Sequence, residues 1–152
     1  MSIETILNYI FRIGNKYVCI TGGEPLLQDN TMILVYELVD RYYNTTIYTN
    51  GSQEIDDCLY TRSYSYIMEL KCPSSKMSKF NIYSNLEKLH AKDEIKFVIS
   101  DIHDYVFAKD IIKEYPTKAG FIFKPANDGI IKRELKQWLL EDKIEKAKLS
   151  LF

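Results

Sequence analysis

The sequence has no long apolar run, no excess of one charge sign and few cysteines, and each absence excludes a class of protein. No apolar run approaches the roughly 20 residues of a membrane-spanning helix. Lysine and arginine number 20 and aspartate and glutamate 21, so the basic excess typical of nucleic-acid-binding proteins is missing. The opening residues, MSIETILNYIF, lack the basic start and the cleavage site of a secretory signal. We therefore expect no membrane span, no direct nucleic-acid partner and no signal peptide.

The three cysteines, Cys19, Cys58 and Cys72, are widely spaced, and no two of them form a CxxC pair. This spacing matches neither a zinc site nor a disulfide framework. Disulfides are rare in the cytosol, where thiols are kept reduced. We therefore expect a reduced, cytoplasmic protein.

The 152 residues predict a single domain, residues 1–152, because domains usually run about 100–200 residues. Apolar residues at helical spacing predict six helices, and short β-branched or aromatic runs predict five strands. The alternation of strands and helices indicates an α/β fold of about five βα units with a mostly parallel sheet. An eight-unit barrel needs at least about 200 residues and is excluded. The predicted helices are 3–12, 31–43, 54–61, 84–89, 103–115 and 129–146, and the strands are 17–20, 45–48, 64–70, 94–99 and 120–123.

The second and last predicted helices each have a candidate core face. In the second helix, the apolar spacing predicts that Ile33, Leu34, Leu38 and Tyr42 face inward. In the last helix, the same reasoning predicts a buried face made of Ile131, Leu135, Trp138 and Leu139.

Polar segments, most of them with glycine or proline, follow each of the five predicted strands. Ligands in α/β folds bind beyond the carboxyl ends of the strands. We therefore expect these segments to face one cleft. They are residues 21–25, 49–52, 71–75, 100–101 and 124–125.

The most informative stretch is VCITGGEPLLQ, residues 18–28. Gly22 and Gly23 at a strand end allow a ligand to approach the backbone closely, because no Cβ intervenes. Glu24 offers a charged acceptor to an amine and would repel a phosphate, while Pro25 holds the turn. The stretch therefore favours an amino-acid-like ammonium group, and a plain tight turn between strand and helix is the alternative.

Four further residues have both a structural and a functional interpretation. Lys71 at a strand end is either solvated or placed to meet a carboxylate. A lysine such as Lys96 at an inward strand position is costly unless it is paired, which makes it a functional candidate. Cys72 is predicted to be a small buried residue rather than a metal ligand, and Asn50 to form a turn rather than to bind a ligand.

The TGGEP segment, residues 21–25, resembles the GGEP motif of the radical S-adenosylmethionine (SAM) enzymes. Further segments follow in the order seen in one family of that superfamily, the 7-carboxy-7-deazaguanine synthases. The resemblance runs from about Tyr17 to the end of the chain. The matching segments are YTNGS (48–52), MELKCPSS (68–75), DEIKFVISD (93–101) and FKPANDG (123–129).

The resemblance implies a partial (β/α) barrel that uses SAM, a [4Fe–4S] cluster and Mg²⁺. It also implies conversion of 6-carboxytetrahydropterin to 7-carboxy-7-deazaguanine through a 5′-deoxyadenosyl radical, a step toward queuosine or archaeosine in tRNA. The expected partners are a pterin-like small molecule and a second copy of the chain, as a homodimer or another self-association. Carried over to this sequence, the resemblance places substrate contacts at Thr21 and Lys96, and SAM contacts at Gly22, Gly23, Glu24, Lys71, Cys72, Pro73 and Ser74.

The sequence departs from the family at the iron–sulfur cluster. The family holds its cluster with a CxxxCxxC motif after the first strand, and no such motif occurs here. We therefore expect a barrel truncated by one βα unit, with no catalytic residue, no metal ligand and no radical reaction by this chain alone. Three explanations stay open: a fragment, a degenerate paralogue, or a partner chain that supplies the cluster loop. The alternative function is a non-catalytic α/β protein that binds a ligand or partner in the same cleft.

Overall fold

The computed structural model describes residues 1–55, 63–126 and 130–150, and it describes only the backbone of residues 130 and 131. The helix predicted at 54–61 lies almost wholly outside these residues. Cys58 and the side chain of Ile131 lie outside them as well.

The described residues form six strands and five α-helices that alternate along most of the chain. The strands are β1 (Tyr17–Ile20), β2 (Asn44–Thr49), β3 (Tyr64–Leu70), β4 (Glu94–Ile99), β5 (Gly120–Pro125) and β6 (Ala147–Leu149). The helices are α1 (Ile3–Ile13), α2 (Thr31–Asp40), α3 (Asn85–Lys88), α4 (Ile102–Glu114) and α5 (Ile130–Asp142). Three short 3₁₀ helices, Pro25–Leu27, Pro73–Ser75 and Ser78–Phe80, follow the ends of β1 and β3.

The six strands form one parallel sheet in the order β1-β2-β3-β4-β5-β6. Each strand pairs with the next one along the chain, so β1 and β6 are the two edges of an open sheet. The predicted α/β fold with a mostly parallel sheet is confirmed. The sixth strand, β6, was not predicted. It has only three residues, which is too few for a recognisable strand pattern.

Two helices begin at polar caps that the sequence supplies. The side chain of Ser2 accepts a hydrogen bond from the Thr5 amide at the start of α1, and Asp101 accepts one from the Asp104 amide at the start of α4. Helix α1 ends at Gly14, whose φ of 74° is the left-handed conformation that glycine adopts easily.

Strands β3, β4 and β5 bury every second residue against the helices. The buried set includes Tyr66, Phe97 and Phe123, which form one core with Tyr105 of α4 and Leu135 of α5. The opposite set is only half-buried, and we call this side the open face of the sheet. It carries Ile67 and Glu69 of β3, Glu94 and Lys96 of β4, Ile122 of β5 and Lys148 of β6.

The core prediction for α2 was wrong at two positions. Ile33 is 51% exposed and Tyr42 is 87% exposed, while Val35 and Leu38 are buried. The predicted helix at 31–43 assumed that helical spacing continued to Tyr42. Helix α2 instead ends at Asp40, and Tyr42 adopts a positive φ of 61° that turns the chain toward β2.

Leu135, at the predicted inward position of α5, is fully buried, whereas Trp138 and Leu139 are partly buried and pack against the core. Among the described residues, no helix is both long enough and apolar enough to cross a membrane.

Candidate functional site

A cavity of about 220 Å³ opens on the open face, at the edge formed by the carboxyl ends of the strands. Parallel α/β sheets bind ligands at this edge. Thr21, Gly22, Gly23, Lys71 and Lys96, all predicted from the sequence as site residues, line this cavity. The remaining lining residues are Tyr48, Thr49, Asn50, Ile67 and Glu69.

The glycine pair after β1 leaves open space beside the cavity. Gly22 has a φ of 155°, which side chains rarely allow. A Cβ built on either Gly22 or Gly23 would have no protein atom within 4 Å beyond its chain neighbours. A ligand can therefore approach the backbone of this turn directly, as the sequence predicted.

Glu24 is 8% exposed, and its carboxylate accepts hydrogen bonds from three donors of the protein. Its Oε1 accepts hydrogen bonds from the Leu26 amide at 3.0 Å and the Thr49 hydroxyl at 2.9 Å, and its Oε2 accepts one from the Asn50 amide at 2.6 Å. A carboxylate offers about four acceptor positions, and donors of the protein occupy three of them. Glu24 thus joins the turn after β1 to the end of β2 and lies behind the lining residues Thr49 and Asn50.

The turn after β2 is built from its own side chains. The Thr49 hydroxyl accepts a hydrogen bond from the Gly51 amide at 3.1 Å, and the Asn50 side chain accepts one from the Ser52 amide at 2.9 Å. Gly51 has a φ of 70°, and a Cβ there would lie 3.1 Å from Cγ of Met68. Asn50 therefore forms the predicted turn, and it also lines the cavity.

Glu69, Lys71 and Lys96, which we call the charged triad, meet at the cavity. The Lys71 ammonium lies 2.5 Å from Oε1 of Glu69, and the Lys96 ammonium lies 2.8 Å from Oε2. Glu69 and Lys96 are direct neighbours across β3 and β4. Burial raises the pKa of Glu69, whereas the hydrogen bonds and the positive charges of the two lysines lower it. The lysines outweigh the burial, so the pKa of Glu69 lies below its ordinary value.

Sequence reasoning placed Lys96 on the inward face and missed Glu69. The alternation of β3 puts Glu69 on the same face as Ser65 and Ile67, so the MELK segment contained a signal. The pairing with Lys96 depends on the register between β3 and β4, which a single sequence does not reveal.

Cys72 follows β3, and its side chain is buried in the core with 3% exposure. Burial, followed by the charges of Asp104 and Glu69, raises the pKa of the Cys72 thiol to about 12. The predicted small buried thiol is confirmed. The structure does not place Cys72 among the lining residues, and its assignment to SAM stays a prediction.

Pro73 and Ser74 lie on an exposed 3₁₀ turn that begins two residues after Lys71, a lining residue of the cavity. The Ser74 amide donates to Oδ1 of Asp104 at 3.0 Å, and the Ser100 amide donates to Oδ2 at 3.0 Å. The fully buried Asp104 therefore fastens the loops after β3 and β4 to each other. The assignment of Pro73 and Ser74 to SAM likewise stays a prediction.

The described part of the chain contains no group of three or more His, Cys, Asp or Glu side chains placed to hold a metal ion. Cys19 is exposed on β1, and Cys72 is buried after β3. Iron–sulfur clusters are held mainly by several cysteine thiolates. The described residues therefore do not fit a [4Fe–4S] cluster, and we assign no reaction step through one.

An open parallel sheet, covered by helices on one face and carrying a polar cavity at the carboxyl edge, defines an α/β protein of the partial-barrel class. Solved structures agree with this fold. QueE from Escherichia coli superposes with a TM-score of 0.76 at 19% identity, covering 99% of this chain and 64% of that one. Streptococcus suis SuiB superposes with a TM-score of 0.60 at 13% identity, covering 88% of this chain and 38% of that one.

Proteins of similar sequence identify the family more narrowly than the solved structures do. The 7-carboxy-7-deazaguanine synthase of Clostridium acetobutylicum is 35% identical over 99% of this chain and 70% of the relative. The synthase of Thermoplasma acidophilum is 34% identical over 86% of this chain and 63% of the relative. The synthase of Methanospirillum hungatei is 40% identical over 72% of this chain and 45% of the relative. No family model matches the chain.

The chain belongs to the 7-carboxy-7-deazaguanine synthase family of radical SAM enzymes, which confirms the resemblance found in the sequence. It spans between 45% and 70% of the length of these three relatives. Membership implies SAM, [4Fe–4S] and Mg²⁺ as cofactors of the family. The open space at the glycine turn can receive an ammonium group such as that of SAM, and the ammonium group of Lys71 at the cavity can receive a carboxylate.

Proposed function

We propose that this chain is the SAM- and substrate-binding portion of a 7-carboxy-7-deazaguanine synthase-like enzyme. The substrate would be 6-carboxytetrahydropterin, and the pathway would lead to queuosine or archaeosine in tRNA. The observation that carries the proposal is the cavity at the carboxyl edge, which brings Thr21, Gly22 and Gly23 together with Lys71 and Lys96. Family membership supports the identity of the ligands.

In this proposal each group of the chain has a binding task. The backbone at Gly23 and the remaining acceptor position of Glu24 receive the amino group of SAM. Lys71 lies near its carboxylate, while Thr21 and Lys96 face the pterin-like substrate. When bound, SAM supplies the 5′-deoxyadenosyl group. The chain's own part is to hold both molecules at one edge of the sheet.

Calorimetric titration of SAM tests the proposal, with two glycine variants as a matched pair. Gly23→Ala adds a methyl group into open space, so it should leave the fold intact and weaken SAM binding by about tenfold or more. Gly120→Ala, on β5, brings a Cβ into ordinary contact, 3.6 Å from the Lys146 carbonyl, and should bind SAM like the wild type. Absence of SAM binding by the wild type would overturn the proposal.

We propose further that this chain does not carry out the radical reaction by itself, because its three cysteines do not have the CxxxCxxC spacing. Anaerobic reconstitution with iron and sulfide tests this part. The expected result is no cluster absorbance near 400 nm and no SAM cleavage. Cluster absorbance together with SAM cleavage would contradict it, and would also exclude the alternative of a non-catalytic binding protein.

Self-association with a second copy is also part of the proposal, and β1 with α1 is the surface that supports it. Strand β1 pairs on one side only within the described residues, and α1 contains no buried residue. Phe11, Tyr17 and Tyr42 are 74–87% exposed around this edge. Unpaired strand edges and large apolar patches are typical of association surfaces.

The groove beside this edge has a volume of about 570 Å³ and carries both charge signs, with Glu4 and Asp40 near Lys16 and Arg41. A second copy turned by a two-fold axis can place acids against bases. Light scattering should therefore show a dimer that Phe11→Ser weakens, and a monomer at all concentrations would contradict this.

A cytoplasmic location also remains part of the proposal, since Cys19 and Cys72 are free thiols.

A further inference from the structure

We infer that the charged triad is a carboxylate-binding subsite in which Glu69 is a positioning residue for the ammonium groups of Lys71 and Lys96. The inference deepens the proposed function and rests on it. It adds a residue, Glu69, to which sequence reasoning assigned no role. It also states the ligand chemistry that the subsite recognises, a carboxylate.

Glu69 holds the ammonium groups of both lysines in place. Each oxygen of its carboxylate holds a different ammonium group, Lys71 at 2.5 Å and Lys96 at 2.8 Å. Lysine side chains are long and flexible, and holding one in place costs conformational entropy. An acceptor between the two ammonium groups restricts both of them and screens their mutual repulsion.

The charge balance leaves the subsite positive. Among the described residues that line the cavity, Glu69 is the only acid and Lys71 and Lys96 are the only bases, so the triad carries a net charge of about +1. The three side chains are only 22–31% exposed, so their charges are less screened than on an open surface. An anionic group of a ligand can balance this charge, and an ammonium has further N–H donors beyond the one that Glu69 accepts.

A second ion pair on the same face provides a comparison. Glu94 and Lys148 also meet at 2.5 Å, but Lys148 is 70% exposed and neither residue lines the cavity. Charges balance within that pair, so it offers no excess charge to a ligand. Glu94→Gln is therefore a matched control for Glu69→Gln.

Two pairs of probes distinguish the possible sources of the carboxylate. SAM is compared with decarboxylated SAM, and 6-carboxypterin is compared with pterin, each by calorimetry. We expect the wild type to prefer the carboxylated member of one pair by about tenfold. The pair that shows the preference identifies whether the carboxylate belongs to SAM or to the pterin.

Glu69→Gln separates positioning from simple charge. The variant makes the cavity more positive, so charge alone would raise the affinity for the carboxylated probe. Positioning predicts the opposite: the preference for the carboxylate falls to about twofold or less, while Glu94→Gln keeps it. A general loss of structure would weaken both members of a pair equally, and thermal denaturation of each variant measures that loss separately.

The outcomes separate this inference from the proposed function. If the wild type binds the probes without a carboxylate preference, or if Glu69→Gln keeps or increases that preference, the subsite is overturned and the proposed function stands. If the wild type binds none of the four probes, the proposed function is overturned and the subsite with it.

Discussion

The carboxylate of Glu24 accepts a hydrogen bond from the hydroxyl of Thr49 at 2.9 Å, across 25 residues of sequence. This contact joins the turn after β1 to the end of β2, and both residues are buried. Glu24 and Thr49 therefore hold together the two loops that form one wall of the cavity.

Thr49→Val should lower the free energy of unfolding by about 1–3 kcal/mol, because it removes a buried donor to Glu24 and the acceptor of the Gly51 amide. Urea denaturation measures the change. Thr46→Val on the same strand is the control. The Thr46 hydroxyl forms a hydrogen bond with the Ser65 hydroxyl at a partly buried position. The expected loss of unfolding free energy is therefore below about 1 kcal/mol. Equal effects of the two substitutions would contradict the role assigned to Thr49.

Cys72 should resist alkylation in the folded protein. Its buried thiol has a pKa of about 12, so very little thiolate exists at pH 8, whereas Cys19 is exposed. We expect iodoacetamide to modify Cys72 at least about 100-fold more slowly than Cys19, as read by peptide mass spectrometry. Both should react at similar rates in guanidinium chloride. Comparable rates in the native protein would show that Cys72 is not buried as described.

The Glu69 interaction should weaken in acid. Its pKa is lowered in the folded state, so the carboxylate contributes stability above its ordinary pKa of 4.5, and this contribution is lost as the pH falls through the folded-state pKa. The difference in unfolding free energy between wild type and Glu69→Gln should therefore be largest near pH 7 and shrink below about pH 4.5. Urea denaturation across this range measures it. A difference that grows on acidification would refute the account.

Asp104→Asn should destabilise the loops after β3 and β4. One of the two Asp104 oxygens that accept the Ser74 and Ser100 amides would be replaced by a donor, so the fully buried side chain at position 104 would face an amide with a second donor. The expected loss is about 1–3 kcal/mol. Asp110→Asn, at an exposed position of the same helix, should stay within about 0.5 kcal/mol of wild type. Thermal or urea denaturation of the two variants distinguishes them.

Much of the fold could be predicted because its strands are strongly patterned. Both Tyr64–Leu70 and Glu94–Ile99 were predicted at their observed bounds, since segments rich in β-branched and aromatic residues are followed by polar residues or proline. Strand Ala147–Leu149 escaped because three residues in a charged stretch show no period. The inward placement of Tyr42 failed because helix α2 ends two residues before it.

The candidate site could be predicted in part, since the glycine turn and the lysines stand at strand ends that are visible in the sequence. Glu69 could not be assigned a partner, because its contact with Lys96 depends on the register of β3 against β4. The hydrogen bonds from Thr49 and Asn50 to the Glu24 carboxylate could not be predicted either. They depend on the turn after β2 lying beside the turn after β1.

The most direct test of the central claim is hydrogen–deuterium exchange of the chain with and without saturating SAM. SAM binding at the carboxyl edge predicts protection of peptides covering residues 20–24, 48–51 and 69–72, which surround the cavity. It also predicts unchanged exchange at residues 91–94 and 146–148, which line a second cavity at the amino ends of β4, β5 and β6. Protection confined to that second cavity, or no protection anywhere, would contradict a ligand site at the carboxyl edge of the sheet.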